Sequence, residues 1–397
     1  MMKDFFESLE LARQSVSVLK ECEIISLEEA CLRVLGEDIC ARKNVPSFDN
    51  SALDGYAFKF DDKNEPLSVV KTIFAGDKNE YKLGKNECFK IMTGAKMPAN
   101  ADSVVMLEEA HFENERLCVP PDLKAFNAVR KKGEDIKAKE PLLKAFKSLH
   151  AGSVAVLASQ GIYKLKVLRK LRVGVFSSGN ELKEVWQNAD ESEIYNVNAL
   201  AIRALLQNLP CEVSYLGLLK DEKSEVLKAL KETQNYDLIL TSAGASAGEA
   251  DFMKEILNEL HFECVFDKMK AKFAKPAKLF KKNDAQLERL VLCLPGNPLS
   301  AILVCAVFAR ALILAKCGLK NELNFTQAKL AQDLTLKSGR NDLIIGRLEK
   351  GLFYPMQNTS SGALKLLLNH HFLFVSDINA EKICKGESIN LIKFIEN

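Results

Sequence analysis

The chain has one tryptophan, five histidines and almost no net charge over its 397 residues. Each scarcity removes a class of explanation. Five scattered histidines make no zinc set. His370 and His371 are adjacent, and on a strand adjacent side chains point to opposite faces. Lys and Arg number 55 against 53 Asp and Glu, a formal charge of +2. That balance excludes a strongly basic nucleic-acid coat and an acidic solvating tail, while leaving room for a local anion site. No CxxC pair occurs among the 11 cysteines, which sit among apolar neighbours such as LVLCLPG around Cys293 and ILVCAVF around Cys305. Buried free thiols in a reducing cytosol are therefore expected, not disulfide staples. No apolar run reaches the ~20 residues a bilayer needs. The longest, Leu299 to Ala315, is interrupted by Arg310 and follows a Pro-Gly-Asn-Pro turn. The opening MMKDFFESLE is acidic where a signal peptide has a positive region and an apolar core. The expectation is a cytoplasmic protein with no membrane and no nucleic-acid partner. Trp186 falls in an irregular stretch and is expected to serve packing.

What is there is segmental organisation. At ~100–200 residues per domain the length predicts two to four domains. Residues 1–45 carry apolar residues at helical spacing: Leu9, Leu11, Val16 and Leu19, then Leu27, Ala30, Leu32 and Val34, with Gly36 as a stop. Segment 140–166 has the same texture. Residues 46–139 hold short β-rich runs (LSVVKTIF, CFKIMTG, DSVVMLEEA, RLCV) between turn residues, the pattern of a compact β domain. Over 167–318 strands and helices alternate, and the strands are near-continuous apolar runs, as in a parallel sheet covered on both faces. Residues 319–397 return to short β-like runs (DLIIGRL, HHFLFVSD, SINLIKFI).

In an open parallel sheet, ligands bind beyond the carboxyl ends of the strands. Here those ends are polar or small: Ser177-Ser178-Gly179-Asn180-Glu181, then Lys220-Asp221, then Thr241-Ser242-Ala243-Gly244-Ala245-Ser246-Ala247-Gly248, then Pro295-Gly296-Asn297-Pro298. Such loops let backbone N–H groups approach an anion, and a following helix N-terminus adds positive potential. None is a Walker A loop or a GxGxxG fingerprint. Asp251 and Glu181 also fit first-turn helix acids. Asn297 and Pro298 fit a helix cap and first position.

The stretch DKMKAKFAKPAKLFKK has seven lysines between Lys268 and Lys282. Most are expected to form a solvated face. Lys275 and Lys278 flank Pro276 and together make a candidate oxyanion clamp. In PSFDNSALDGYAF, Asp49 and Asp54 are either an Asx-turn cluster or a carboxylate pair for a hard cation such as Mg²⁺. Thr93 in IMTGA is a candidate phosphate donor. Asp135 in RKKGED reads equally as a surface turn.

Taken in order, these motifs resemble one family nearly end to end: the MoeA-type molybdopterin molybdenumtransferases, related to the gephyrin E domain. The resemblance rests on PSFDNSALDGYA, IMTGA, RKKGED, SSGNEL, TSAGASAGEADF, KPAK, LPGNP and the C-terminal GRND and SSG. It implies a multidomain α/β plus β fold. The central doubly wound parallel domain (167–318) would share the fold of the pterin adenylyltransferases. Around it would lie a helical linking and dimerisation domain (1–45 plus 140–166), a β domain (46–139) and a C-terminal β-barrel-like domain (319–397). It implies molybdenum insertion from molybdate into adenylylated molybdopterin with Mg²⁺-assisted release of AMP. It also implies a homodimer whose site joins domains of two subunits, supplied by an adenylyltransferase.

Carried over by motif, Asp54, Thr93, Asp135, Glu181, Asp221 and Asp251 would be catalytic, with Asp54 and Asp251 as metal ligands. Lys275, Lys278, Arg340 and Ser361 would hold molybdate. Ser178, Gly179, Ser242, Gly244, Ser246, Gly248, Pro295 and Pro298 would shape the pterin–nucleotide cleft. The chain departs from the family pattern at Asn180 (for an acid) and at Ala243 and Ala277 (each for glycine). Two other readings stay open here. One is a catalytically weak paralogue that binds or hands on the cofactor, which predicts tight pterin binding without AMP release. The other is molybdopterin adenylyltransferase activity of the α/β domain alone, which predicts ATP consumption and little need for residues 1–166.

Overall fold

The computed structural model describes residues 2–220, 222–242, 249–283, 287–319, 323, 325–356, 360 and 362–395. The chain divides into two compact units. One comprises residues 1–24, 31–36 and 166–397, and the other 25–30 and 37–165.

The larger unit is built on a six-stranded sheet. Its order is Cys211–Leu219, Leu171–Ser178, Leu238–Ser242, Glu288–Leu294, Lys278–Asn283, Glu263–Asp267. The first four strands are parallel, with Val173 beside Leu238 and Leu240 beside Leu292. The last two form an antiparallel hairpin on the Glu288–Leu294 edge. The alternating pattern over 167–318 thus matches the parallel part, and the hairpin extends it. Helices Val197–Leu206, Lys223–Lys231 and Glu249–Glu259 alternate with the strands. The helical run Pro298–Lys316 is long and apolar enough to cross a membrane, and it is 83% buried within the protein. Its middle, Cys305–Ala309, is a π-helical turn. Phe308 in that turn meets Phe5 edge-on, ring centroids 5.3 Å apart.

Phe5 belongs to helix Phe5–Gln14, which starts with a reciprocal cap. Asp4 Oδ1 accepts from Glu7 N at 2.8 Å, and Glu7 Oε2 accepts from Asp4 N at 3.1 Å. Its buried face is Phe5, Leu9 and Ala12. The second helix expected near Leu27 is a single 3₁₀ turn, Leu27–Glu29. Leu32 sits at φ +64°, a left-handed conformation that stops a right-handed helix. The tail forms a closed barrel of Phe325–Leu330, Leu352–Pro355, Leu343–Glu349, Phe372–Val375 and Ser388–Lys393. His370 and His371 precede the strand Phe372–Val375. Their rings bond the carbonyls of Leu366 and Leu367.

The smaller unit contains a four-stranded sheet ordered Ser68–Ile73, Glu87–Ile91, Gly55–Phe58, Ser103–Met106. Close approach explains Gly55 of the DGYA motif, since a Cβ there would lie 2.0 Å from the Val105 carbonyl oxygen. Within 140–166 the helix is confined to Ala151–Ser159. Strands Pro141–Leu143 and Lys164–Leu168 flank it.

All eleven cysteines are free thiols, and five of them are buried. Burial pushes the thiols of Cys88, Cys211 and Cys317 up to about 12, which leaves them inert. Trp186 is 72% exposed and does not serve the core. It lies in the connection between the two short strands Leu182–Lys183 and Ile194–Tyr195, which pair with each other instead of joining the main sheet.

Candidate functional site

The sheet's carboxyl edge carries a cavity of about 330 Å³. Ser178 and Ser242 reach it from two adjacent parallel strands, and Gly296, Asn297 and Pro298 from the turn after a third. Two helices, Val197–Leu206 and Pro298–Val304, begin at its wall, so both present N-terminal dipole ends there. This is the arrangement that favours a phosphate-bearing ligand.

The floor is held by a chain of side chains. Ser242 Oγ donates to Ser177 Oγ at 3.2 Å, and Ser177 Oγ donates to Asn196 Oδ1 at 2.9 Å. Asn196 Nδ2 donates to the Tyr215 hydroxyl at 2.9 Å, and that hydroxyl donates to the Glu184 carboxylate. Burial, and then the adjacent Glu184 carboxylate, push the Tyr215 phenol up, so it stays a neutral donor. Asn196 also caps its helix through Ala199 N. Glu181 lines the same cavity on an exposed loop. Gly179 turns that loop at φ +148°, and a Cβ there would lie 2.8 Å from Glu181 Oε2.

Of the residues expected here, Ser178, Glu181, Ser242 and Pro298 share one cavity, and Gly179 shapes its loop. Pro295 is buried directly before Gly296. Asp221, Ala243, Gly244, Ser246, Gly248 and Ser361 lie outside the described residues, as does the side chain of Asp251. Asn297 was expected on the fourth strand-end loop as the cap before Pro298, whereas Tyr195, Asn196 and Asn198 were not anticipated. Their signal was present in YNVNA, two asparagines where an apolar helix begins. Asn297 takes the N-cap position, but its side chain makes no capping bond.

The lysine-rich stretch connects the two strands of the hairpin. Lys275 is exposed on that connection, and its carbonyl accepts from Met269 N at 3.2 Å. Ala277 has no positive φ among the described backbone outliers, so glycine is not required there. Lys278 corrects the expected clamp. It lies on the strand Lys278–Asn283 with its side chain 2% exposed, and its Nζ is 2.6 Å from Asp267 Oδ1. Lys254 pairs with the other Asp267 oxygen at 2.8 Å. Burial pushes the Asp267 carboxyl up, but the two ammonium groups outweigh it and hold the group below the usual range. Lys278 is therefore a core ion-pair partner and not a free cation beside Lys275.

The GRND turn is bound to the same connection. Lys272 N donates to Asn341 O at 2.9 Å, and Asn341 N donates to Lys270 O at 2.8 Å. Arg340 is anchored by Asp342, with Nε at 3.1 Å and Nη2 at 3.0 Å from Oδ1. A guanidinium has five N–H donors, so this anchoring leaves donors for an oxyanion.

In the smaller unit, three motifs converge through backbone bonds. Gly94 N donates to Ser51 O at 2.8 Å, and Arg130 pairs with Asn50. Asp54 Oδ1 accepts from Thr93 N at 2.7 Å and from Thr93 Oγ1 at 2.6 Å. Those two bonds hold the Asp54 carboxyl below its ordinary range. Asp49 does not pair with Asp54 as a cation site. It accepts from Lys131 Nζ at 3.1 Å and Lys132 N at 2.7 Å, organising the RKKGED turn. Asp135 is exposed in that turn. Among the described residues no group of three His, Cys, Asp or Glu side chains is placed to hold a metal.

Comparison with known proteins agrees with this layout. Residues 4–161 match the family described as MoeA N-terminal region (domain I and II), and residues 174–315 match the probable molybdopterin binding domain family. The chain is 36% identical to a molybdopterin molybdenumtransferase of Haemophilus influenzae, covering 84% of this chain and 82% of that one. It is 29% identical to one from Nostoc, covering 94% of this chain and 89% of the other. A solved structure of the molybdopterin biosynthesis MoeA protein from Pyrococcus horikoshii superposes with a TM-score of 0.84 at 27% identity, over the full length of both chains. A parallel sheet with a polar carboxyl edge, a C-terminal barrel and these motifs in this order have one common explanation: the chain belongs to the molybdopterin molybdenumtransferase family, the enzymes of molybdenum cofactor biosynthesis.

Proposed function

We propose that the chain inserts molybdenum from molybdate into adenylylated molybdopterin and releases AMP with the help of Mg²⁺. The observation that carries this reading is the cavity at the sheet's carboxyl edge, walled by two helix N-termini and by Ser178 and Ser242. It suits a ligand with a flat ring system and a phosphate. Lys275 and Arg340 hold the molybdate, a tetrahedral dianion that charge-assisted donors bind well. Glu181 faces the ligand from the loop after its strand.

The residues present fit a magnesium ion. Mg²⁺ takes oxygen ligands, keeps several waters and is commonly held by one or two carboxylates plus substrate phosphates. Asp54 fits that role: Thr93 occupies Oδ1, and Oδ2 takes no hydrogen bond among the described residues. When bound, the ion neutralises charge on the diphosphate. Thr93 orients the Asp54 carboxylate and favours its ionised form. Asp135 supports the same group of turns. The reaction proceeds by positioning and charge neutralisation, without a covalent enzyme intermediate. The chain works as a homodimer in the cytoplasm and receives its substrate from an adenylyltransferase. Its eleven free thiols suit a reducing compartment.

The test mixes the purified chain with adenylylated molybdopterin, molybdate and Mg²⁺, and follows AMP release together with molybdenum-loaded pterin. Both products should appear in equal amounts. Ligand that binds with its AMP still attached would replace this reading with that of a cofactor-binding paralogue.

A further inference from the structure

The wall of the cavity holds one acceptor with no donor. Asn198 is 6% exposed and lines the cavity with Ser178, Ser242 and Tyr195. Its amide orientation is fixed, because Nδ2 donates to the Gly296 carbonyl at 2.9 Å. Turning the amide over would set two oxygens against each other. Oδ1 is therefore committed to the opposite direction, and there it has no hydrogen-bond partner. A buried acceptor without a donor bears its full desolvation cost, so native folds rarely keep one without a use. Asn198 is held rigidly on two sides. It lies in the first turn of the helix capped by Asn196, and it is bonded to the turn before Pro298.

We infer that Asn198 is a specificity-determining residue whose Oδ1 accepts a hydrogen bond from an exocyclic amino group on the substrate's ring system. This rests on the reading of the cavity given above and deepens it. An acceptor fixed in this way welcomes an N–H and opposes a carbonyl oxygen at the same ring position, because two lone pairs then meet. Tyr195 is 45% exposed and supplies an aromatic wall beside it, suited to a flat ring. Adenylylated molybdopterin has two ring amino groups, one on the pterin and one on the adenine. Both offer the chemistry Asn198 selects, and matched probes separate them.

The experiment uses the full chain and isothermal titration with four probes. Pterin is compared with lumazine, which has an oxo group in place of the 2-amino group. AMP is compared with inosine monophosphate, which has an oxo group in place of the 6-amino group. The wild type should prefer the amino member of one pair by about tenfold or more. Asn198→Leu should bring that ratio near unity. Preference within the pterin pair identifies the pterin as the group read, and preference within the nucleotide pair identifies the adenine. Equal binding within both pairs by the wild type overturns the inference even if the variant does not fold. A preference that survives in Asn198→Leu overturns it too. If none of the four probes binds the wild type, the heterocycle reading of the cavity fails first and the inference falls with it.

Discussion

Lys272 and Asn341 are 69 residues apart, yet the Lys272 amide donates to the Asn341 carbonyl at 2.9 Å. That bond joins the connection bearing Lys275 to the turn bearing Arg340, so the two candidate molybdate cations sit on one sutured framework. The Asn341 side chain, 2% exposed, tightens it. Its Oδ1 accepts from Phe5 N at 2.9 Å and its Nδ2 donates to Ser376 O at 2.8 Å. Asn341→Ala strips both bonds and leaves a buried N–H and a buried carbonyl unpaired. The loss should be about 2–4 kcal/mol, read from urea denaturation. Below the unfolding range, the molybdate KM should rise more than kcat falls. An unchanged KM would detach Arg340 from molybdate.

Two lysines three residues apart should answer to different measurements. Lys275 is exposed, and Lys275→Ala should leave the denaturation midpoint unchanged while raising the molybdate requirement roughly tenfold, the loss of one charge-assisted contact. Lys278 is buried against Asp267. Lys278→Ala should cost about 2–4 kcal/mol of stability, because it opens a cavity and removes one of two cations from that carboxylate. The pH dependence has a definite sign. Asp267 is held below its unfolded value, so its stabilisation is present above about pH 4 and is lost as pH falls through the lowered pKa. Lys278→Ala should therefore show a shallower loss of stability in acid than the wild type.

The α/β region was legible because both of its patterns are local. Apolar runs mark the covered strands, and the 3.6-residue period marks helices such as Val197–Leu206. The hairpin was not legible, since lysines at 278, 281 and 282 place its second strand inside a cationic run. Lys278 was misread for a related reason. Its burial depends on Asp267, eleven residues upstream, which only strand pairing brings opposite it. Asn198 and Asn341 were missed because an asparagine at a helix start or in a turn has a local explanation that needs no partner. The helix expected near Leu27 ends after one turn at Glu29, and Leu32 just beyond it has a positive φ, which apolar spacing does not encode.

Asp237 holds a stability prediction independent of the site. It is fully buried and accepts from Arg169 Nη1 at 2.8 Å, Arg169 Nη2 at 2.9 Å and Arg172 N at 2.8 Å. Asp237→Ala leaves the Arg169 guanidinium, 15% exposed, without its bidentate partner and Arg172 N–H without an acceptor. A loss of about 3–5 kcal/mol is expected in denaturant melts. A loss under about 1 kcal/mol would mean that Glu21, which also pairs with Arg169 at 2.8 Å, carries the interaction alone.

Asp54 and Thr93 give the sharpest test of the metal reading. Both Thr93 bonds fall on Asp54 Oδ1, and they lower its pKa by stabilising the ionised form. Asp54→Ala should reduce turnover roughly 100-fold or more, the scale expected when a metal-neutralising contact is removed, while circular dichroism and the melting midpoint stay as in the wild type. Thr93→Val removes the hydroxyl and keeps the backbone donor. The Asp54 pKa should then rise toward its ordinary value, so the acid limb of the pH–rate profile should move to higher pH. The Mg²⁺ concentration for half-maximal rate should rise in step. If Thr93→Val lowered the rate equally at all pH values and Mg²⁺ concentrations, the threonine would serve the turn alone and Asp54 would lose its role as the magnesium carboxylate.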